Sequence, residues 1–312
     1  MQFRITEADN GSTVRAFLAA HADFSSKMLK FLKYRNDGIL VDGRRVTVRH
    51  VLRAGETLAI SVADRVDQPA LEAVELPLPV LYEDDDVAVP DKPPFMPTHP
   101  SHDHYRDTVA NALAYRYRSL GIPFVFRPVN RLDRDTSGVL LIARNKPAAG
   151  RLTAAMQNGL IRKTYLAVLE GDALPDEGFI DRPLRRSAES IIIRQTCRPD
   201  DAGAEPAYTR YRILARGNGC SLAEAQPLTG RTHQLRVHFA SLGHPVAGDS
   251  LYGIPNGRAP RQMLHARSVV FPHPTTGETV AVTAPIPADM SALLSGLFPL
   301  FNPDSEPERS QT

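Results

Sequence analysis

The chain has 312 residues, 42% of them hydrophobic, which is enough for one large domain beside a small one. Its two cysteines, Cys197 and Cys220, exclude a disulfide framework and a thiolate metal cage, and no segment approaches the roughly 20 apolar residues of a membrane helix. The net charge of +2 is spread unevenly: residues 1–62 carry ten Lys and Arg against six Asp and Glu, residues 63–92 carry two against nine, and the rest is again basic, so two cationic modules suited to polyanions flank an acidic segment.

The N-terminus, Met1 to Ile5, has no charged leader followed by an apolar run, so a cytoplasmic protein is expected, with a monomer as the default. Ser12 to His21 sets Val14, Phe17, Leu18 and His21 on one helical face, and Ser25 or Ser26 can cap a second helix carrying Met28, Leu29, Phe31 and Leu32. Ile39–Val41, the turn pair Asp42-Gly43 and Arg44–Val46 predict a β-hairpin, with Leu58–Val62 as a closing strand. Residues 1–64 then make a small α/β domain. Lys27, Lys30 and Lys33 share a flank of the second helix, and Arg44 and Arg45 lie in the hairpin. A lysine stripe alone is usually solvated surface; with the arginines beside it, phosphate contact is equally supported. The helix-loop-helix and Gly38–Gly43 resemble the S-four-type RNA-binding domain, with Ser26-Lys27 and Asp42-Gly43 where that family commonly has Ser-Arg and Asn-Gly.

Residues 65–80, with Pro69, Pro77 and Pro79, read as a linker, and residues 81–300 as the larger domain. Val87–Val89, Val139–Ala143, Tyr165–Leu169, Ile191–Ile193 and Tyr208–Ile213 are predicted strands. Asp107 is expected to cap a helix ending at Gly121, and a second helix is expected from Thr232 to Leu242, stopped by Gly243. Strands and helices do not alternate regularly, which predicts an α+β fold. Residues 301–312 read as a disordered tail.

Three clusters carry chemistry. Arg131-Leu132-Asp133-Arg134-Asp135-Thr136-Ser137-Gly138 is a charge-dense loop anchored by an apolar strand, in which Asp133 and Asp135 compete as the reactive carboxylate. Gly230-Arg231-Thr232-His233-Gln234-Leu235-Arg236 is a turn opening a cationic helix start, suited to anions. Lys163-Thr164-Tyr165 begins a strand, its tyrosine either core or a platform for a base. His99, His102, Asp103 and His104 suggest a metal site, but their spacing fits no zinc pattern and a proline interrupts it, so no metal is expected.

In this order, the three clusters resemble the RluA-type RNA pseudouridine synthases. The likeness extends from Asp91-Lys92-Pro93 through Gly248-Asp249 and Tyr252-Gly253 to Leu264-His265-Ala266. It implies a mixed, mostly antiparallel central sheet flanked by helices and loops, and a cofactor-free isomerisation of uridine to pseudouridine in ribosomal or transfer RNA. By that resemblance Asp133 is the essential aspartate, Arg131 its neighbour, Tyr165 the active-site tyrosine and Arg236 the arginine that pairs with the aspartate. Asn130 stands where the family often has His. The reaction breaks the uracil–ribose bond, turns the base and rejoins it through carbon 5, with no redox change. A carboxylate can stabilise or trap the sugar or remove its 2′ proton, and an adjacent arginine keeps such a carboxylate ionised in a dry pocket. The target uridine must be extruded from its helix, with Arg131 or a neighbour filling its place. Arg134, Arg144, Lys146 and Arg231 are phosphate candidates, as are His233 and Gln234 for RNA contact. A base-releasing nucleosidase and a non-catalytic RNA-binding protein are the rival readings.

Overall fold

The computed structural model describes residues 2–21, 32, 38–60, 71–253 and 256–301. In the N-terminal region α1 (Val14–His21) buries Val14, Phe17 and Leu18, while His21 turns outward to Asp9. The helix packs on a sheet ordered β1 (Gln2–Arg4), β4 (Thr57–Ile60), β2 (Ile39–Val41), β3 (Arg44–Arg45). Asp42 and Gly43 both have positive φ, 45° and 78°, which the predicted tight turn requires. Lys27, Lys30 and Lys33 lie outside the described residues.

Residues 71–79 have no regular structure, yet Leu76 and Leu78 pack on the main core and the Val74 N–H donates to Asn111 O. The chain then enters a ten-stranded sheet of β5 (Val80–Glu83), β6 (Val87–Lys92), β7 (Ser137–Val139), β8 (Ile142–Ala143), β9 (Arg162–Glu170), β10 (Glu177–Asp181), β13 (Tyr208–Gly217), β14 (Cys220–Pro227), β15 (Leu264–Pro272) and β16 (Thr279–Thr283). Its order is β10-β13-β14-β9-β15-β7-β6-β5, with β16 on β15 and β8 on β6. Every pairing is antiparallel except β15 with β7, the mixed α+β architecture expected. A separate hairpin joins β11 (Leu184–Arg186) and β12 (Arg194–Thr196).

Strand β9 explains why this sheet carries little alternation. Tyr165, Ala167 and Leu169 point into the core shared with α3 (Lys146–Gln157) and α4 (Gln234–Ser241), whereas Leu166 and Val168 point to the opposite core with Met290 and Leu294 of α5 (Ala288–Leu297). A strand covered on both faces reads as a continuous apolar run.

Three expectations are corrected. Ile191 and Ile192 are 79% and 56% exposed near the tip of the β11–β12 hairpin rather than in a strand; the paired residues are the arginine-bearing flanks. Val139–Ala143 divides into two short strands on the same partner, β6: the ladder is interrupted at Leu141, whose N–H donates to Asn130 Oδ1 instead, before Ile142 and Ala143 pair with β6 again. Helix α2 (Val109–Ser119) is capped by Thr108, whose hydroxyl accepts from the Asn111 N–H, while Asp107 pairs with His104. No helix among the described residues is long and apolar enough to cross a membrane.

Candidate active site

The loop that carries Asp133 is clamped through its backbone. Thr98 Oγ1 donates to Leu132 O at 2.8 Å and accepts from the Leu132 N–H, and Asn130 Oδ1 accepts from the Leu141 N–H at 2.9 Å. Lys92, wholly buried at the end of β6, donates from Nζ to the carbonyls of Pro93, Met96 and Arg134 at 2.8–2.9 Å. Arg261 donates to Asp135 O at 2.9 Å and, through its other edge, to Asp289 at 2.7 and 3.0 Å. Two buried cations therefore grip successive carbonyls immediately after Asp133. Burial pushes the Lys92 pKa down to about 7 against the attraction of Asp135 and Asp133; three carbonyl acceptors match the three N–H groups of an ammonium.

The opposite wall is the turn into α4. His233, its N-cap, takes the left-handed conformation at φ 57°, which directs the next turn at the loop. Arg236, 3% exposed, donates from Nη1 to Asp133 Oδ2 at 3.0 Å and from Nε and Nη2 to Asp249 at 2.7 and 2.9 Å. Burial opposes the Arg236 charge, but the two carboxylates outweigh it and raise its pKa. Asp249 is disfavoured by desolvation yet held below the usual carboxylate range by Arg236 and by the N–H groups of Leu251 and Tyr252. Asp249 thus neutralises the arginine, and Asp133 meets it through one hydrogen bond while keeping a side-chain exposure of 20%.

His233 adds a neutral neighbour. The Tyr252 hydroxyl accepts from the Arg194 N–H at 2.9 Å and lies 2.8 Å from His233 Nδ1. We assign the hydroxyl proton to Nδ1, which leaves Nε2–H directed at Asp133 Oδ1, 3.8 Å away. Burial lowers the His233 pKa, which favours this uncharged tautomer.

Asp133, Arg131, Tyr165, Arg231, His233 and Arg236 all line one cavity of about 850 Å³, a volume in the range of ligand pockets. Tyr165 presents an 8% exposed ring on β9. Burial, and then the Asp133 charge, raise its pKa, so it is a phenol at neutral pH. Arg131 is exposed at the wall. Asp135, the competing carboxylate, is occupied by Arg134 at 2.7 Å. Gln234 uses its amide inside the protein: Oε1 accepts from Thr229 and the Arg231 N–H, and Nε2 donates to Tyr208 O and Thr209. It holds the turn rather than offering a group to RNA. Arg144 likewise stacks over Tyr117 and bonds to Asp84 O, away from the cavity. Arg44 and Arg45 lie on the exposed β3 edge of the N-terminal sheet. His104 pairs with Asp107 and His102 with Asp103, while His99 reaches the cavity wall.

Sequence reasoning assigned no part to Lys92, Thr98, Arg261, Asp249 or Tyr252. The signals in the sequence were the Asp91-Lys92-Pro93, Gly248-Asp249 and Tyr252-Gly253 motifs; the burial of Lys92 and the positive φ of Gly248 show only in the fold. The geometry places a carboxylate with a paired guanidinium beside an aromatic wall, in a cleft able to take an extruded nucleotide.

Comparison with known proteins agrees with this chemistry. Residues 86–241 match the model of the RNA pseudouridylate synthase family. The chain is 37% identical to the uncharacterized RNA pseudouridine synthase YjbO of Bacillus subtilis, over 91% of this chain and 99% of that protein. It is also 37% identical to the ribosomal large subunit pseudouridine synthase D of Xanthomonas campestris, over 83% of this chain and 80% of that one. The solved structure of human RNA pseudouridylate synthase domain containing 1 superposes with a TM-score of 0.57 at 33% identity, covering 70% of this chain and 87% of the human one. The chain belongs to the RNA pseudouridylate synthase family, as an RluA-type enzyme that isomerises uridine to pseudouridine in RNA.

Proposed function

We propose that the enzyme modifies a uridine of ribosomal RNA, with Asp133 as the carboxylate that acts on the ribose, Arg236 as its partner and Tyr165 as the surface on which the uracil stacks. The observation that carries this reading is the 3.0 Å contact between Asp133 and Arg236 at the wall of the cavity. Asp133 either attacks C1′ or removes the 2′ proton as the glycosidic bond breaks. Arg236, already neutralised by Asp249, keeps the carboxylate in place without quenching it. Arg131, exposed beside Asp133, fills the space that the flipped uridine vacates, and Arg134, Arg231 and His233 line the RNA path. The relatives named ribosomal large subunit pseudouridine synthase D support ribosomal RNA as the substrate class.

Residues 1–64 serve as an RNA-binding module, with Arg44 and Arg45 on an exposed hairpin edge as its contacts, joined through residues 65–80 to a catalytic domain at 81–300. Two free cysteines suit the cytoplasm.

The test is tritium release from RNA labelled at uracil carbon 5, with and without Asp133→Asn. The wild type is expected to release tritium without free uracil, and the variant to bind RNA but release none. Free uracil would identify a nucleosidase, and normal turnover by the variant would remove Asp133 from the mechanism.

A further inference from the structure

Lys163 differs from every other buried cation of the site. It lies two residues before Tyr165 on β9, so both side chains leave the same face of the strand about 7 Å apart, and both line the cavity. Only 8% of Lys163 is exposed, and among the described residues its ammonium has no hydrogen bond and no ion pair. Lys92 is met by three carbonyls, Arg236 by two carboxylates and Arg261 by Asp289 and three carbonyls. Burial lowers the Lys163 pKa with no carboxylate to offset it. The stem of Lys163 is covered while its ammonium keeps access to the cavity, so a donor that no protein group engages is placed to meet an acceptor that enters the cavity.

Depth and position identify the acceptor. Phosphates of an RNA chain stay near the mouth, where Arg131, Arg162 and Arg210 are exposed; a side chain as covered as Lys163 meets the base. The strand register places Lys163 beyond Tyr165: the Asp133 loop enters β7 at Ser137, opposite His265 of β15, Tyr165 stands opposite Ala266, and Lys163 opposite Val269, farther along β15 from the carboxylate's loop. With the ribose at Asp133 and the uracil on Tyr165, the edge that reaches Lys163 is the one remote from the sugar, which carries O4.

We propose that Lys163 binds O4 of the flipped uracil and stabilises the negative charge that this oxygen acquires when the glycosidic bond breaks, an inference that rests on the roles given above to Asp133 and Tyr165. When N1–C1′ breaks, its electron pair stays on the uracil and spreads over N1, O2 and O4. C1′ is satisfied by the Asp133 carboxylate, or the 2′ proton passes to that carboxylate. The base turns and C5 bonds to C1′ as the Asp133–C1′ bond breaks, or as the proton held by Asp133 returns to C2′; C5 then gives up its proton and N1 takes one, so no atom is gained or lost. Lys163 transfers no proton; its hydrogen bond strengthens only as charge reaches O4, which makes it a transition-state interaction. A donor-only ammonium also accepts uracil over cytosine, whose amino group stands where O4 would be.

The test compares wild type, Lys163→Met and Lys163→Arg in single-turnover reactions, with uridine or 5-fluorouridine at the target position, alongside RNA affinity at several salt concentrations. Lys163→Met is expected to slow the uridine reaction roughly a hundredfold with affinity unchanged, and Lys163→Arg to recover most of the rate. The loss should be clearly smaller with 5-fluorouridine, because fluorine already stabilises the base anion. An unchanged rate, or an equal loss with both bases, would overturn the proposal. So would weakened binding with a salt dependence shallower by about one charge and no change in rate, the mark of a phosphate contact. Asp133→Asn in the same assay keeps the two claims apart: normal turnover there overturns the site reading, whereas an inert Asp133→Asn beside a fully active Lys163→Met overturns only Lys163.

Discussion

Arg236 gives its two-pronged edge to Asp249 and a single N–H to Asp133, so the better-bonded carboxylate is the one farther from the cavity. Asp249, wholly buried on its side chain, fixes the plane of the guanidinium. Asp249→Asn retains the shape but removes the charge. The arginine then has only Asp133 to neutralise it and rotates toward that carboxylate. Breaking a buried pair of this kind costs about 3 kcal/mol, and kcat is expected to fall on the order of a hundredfold with little change in KM. Urea unfolding and steady-state kinetics check both; a stability loss with unchanged kcat would make Asp249 a folding residue alone.

Lys92 tests the other side of the loop. Lys92→Met keeps the length of the side chain and deletes three donors, leaving the carbonyls of Pro93, Met96 and Arg134 against an apolar group. At about 1 kcal/mol for each lost hydrogen bond, a destabilisation of about 3 kcal/mol is expected, with faster amide exchange at Asp133–Thr136 than in the wild type. Exchange confined to wild-type rates would show that Thr98 and Arg261 hold the loop without it.

The loop and the α4 turn were legible in the sequence because both are contiguous: charge density beside an apolar strand marks one, and a glycine turn before a cationic helix start marks the other. The contacts between distant segments were not read from residue patterns: the pairing of Asp133 with Arg236, across 103 residues, came only from the family resemblance, and the hold of Arg261 on the Asp135 carbonyl, across 126, was not foreseen. Strand β14 was missed because Cys220, Ser221, Leu222 and Ala223 have little β-propensity. Its signal was the turn pair Asn218-Gly219, at φ 52° and 68°. The triplet Ile191–Ile193 misled for the converse reason: β-branched residues favour strands only where a neighbour covers them, and here Ile191 and Ile192 face solvent. That Lys163 has no hydrogen-bond or ion-pair partner among the described residues is a property of the fold that no sequence pattern expresses.

Gly138 ends the loop where β7 runs beside β15. Its φ is +109°, and a Cβ there would stand 2.2 Å from Ala266 O. Gly138→Ala therefore combines a backbone conformation that L-residues avoid with a clash against main chain. A loss of more than about 3 kcal/mol in unfolding free energy is expected, or insoluble protein; a stability within 1 kcal/mol of the wild type would contradict the close approach of the two strands.

His265 gives the enzyme a stability that falls in acid. It is wholly buried on β15, with Nδ1 at 3.0 Å from Ser137 Oγ, and burial pushes its pKa down to about 4. An unfolded histidine titrates near 6.5, so between about pH 6.5 and 4 the unfolded chain takes up a proton that the folded chain excludes. Proton uptake by the unfolded state makes stability decrease as the pH falls through this window, and the contribution is complete above it. A difference of this size is worth about 3 kcal/mol. Other buried groups, among them His233 and Asp249, also titrate with acid, so the measurement is a difference: urea unfolding of wild type and His265→Asn at pH 7 and pH 4.5. The wild type should lose about 2–3 kcal/mol more than the variant over that interval, and equal slopes would mean that His265 is protonated in the folded enzyme.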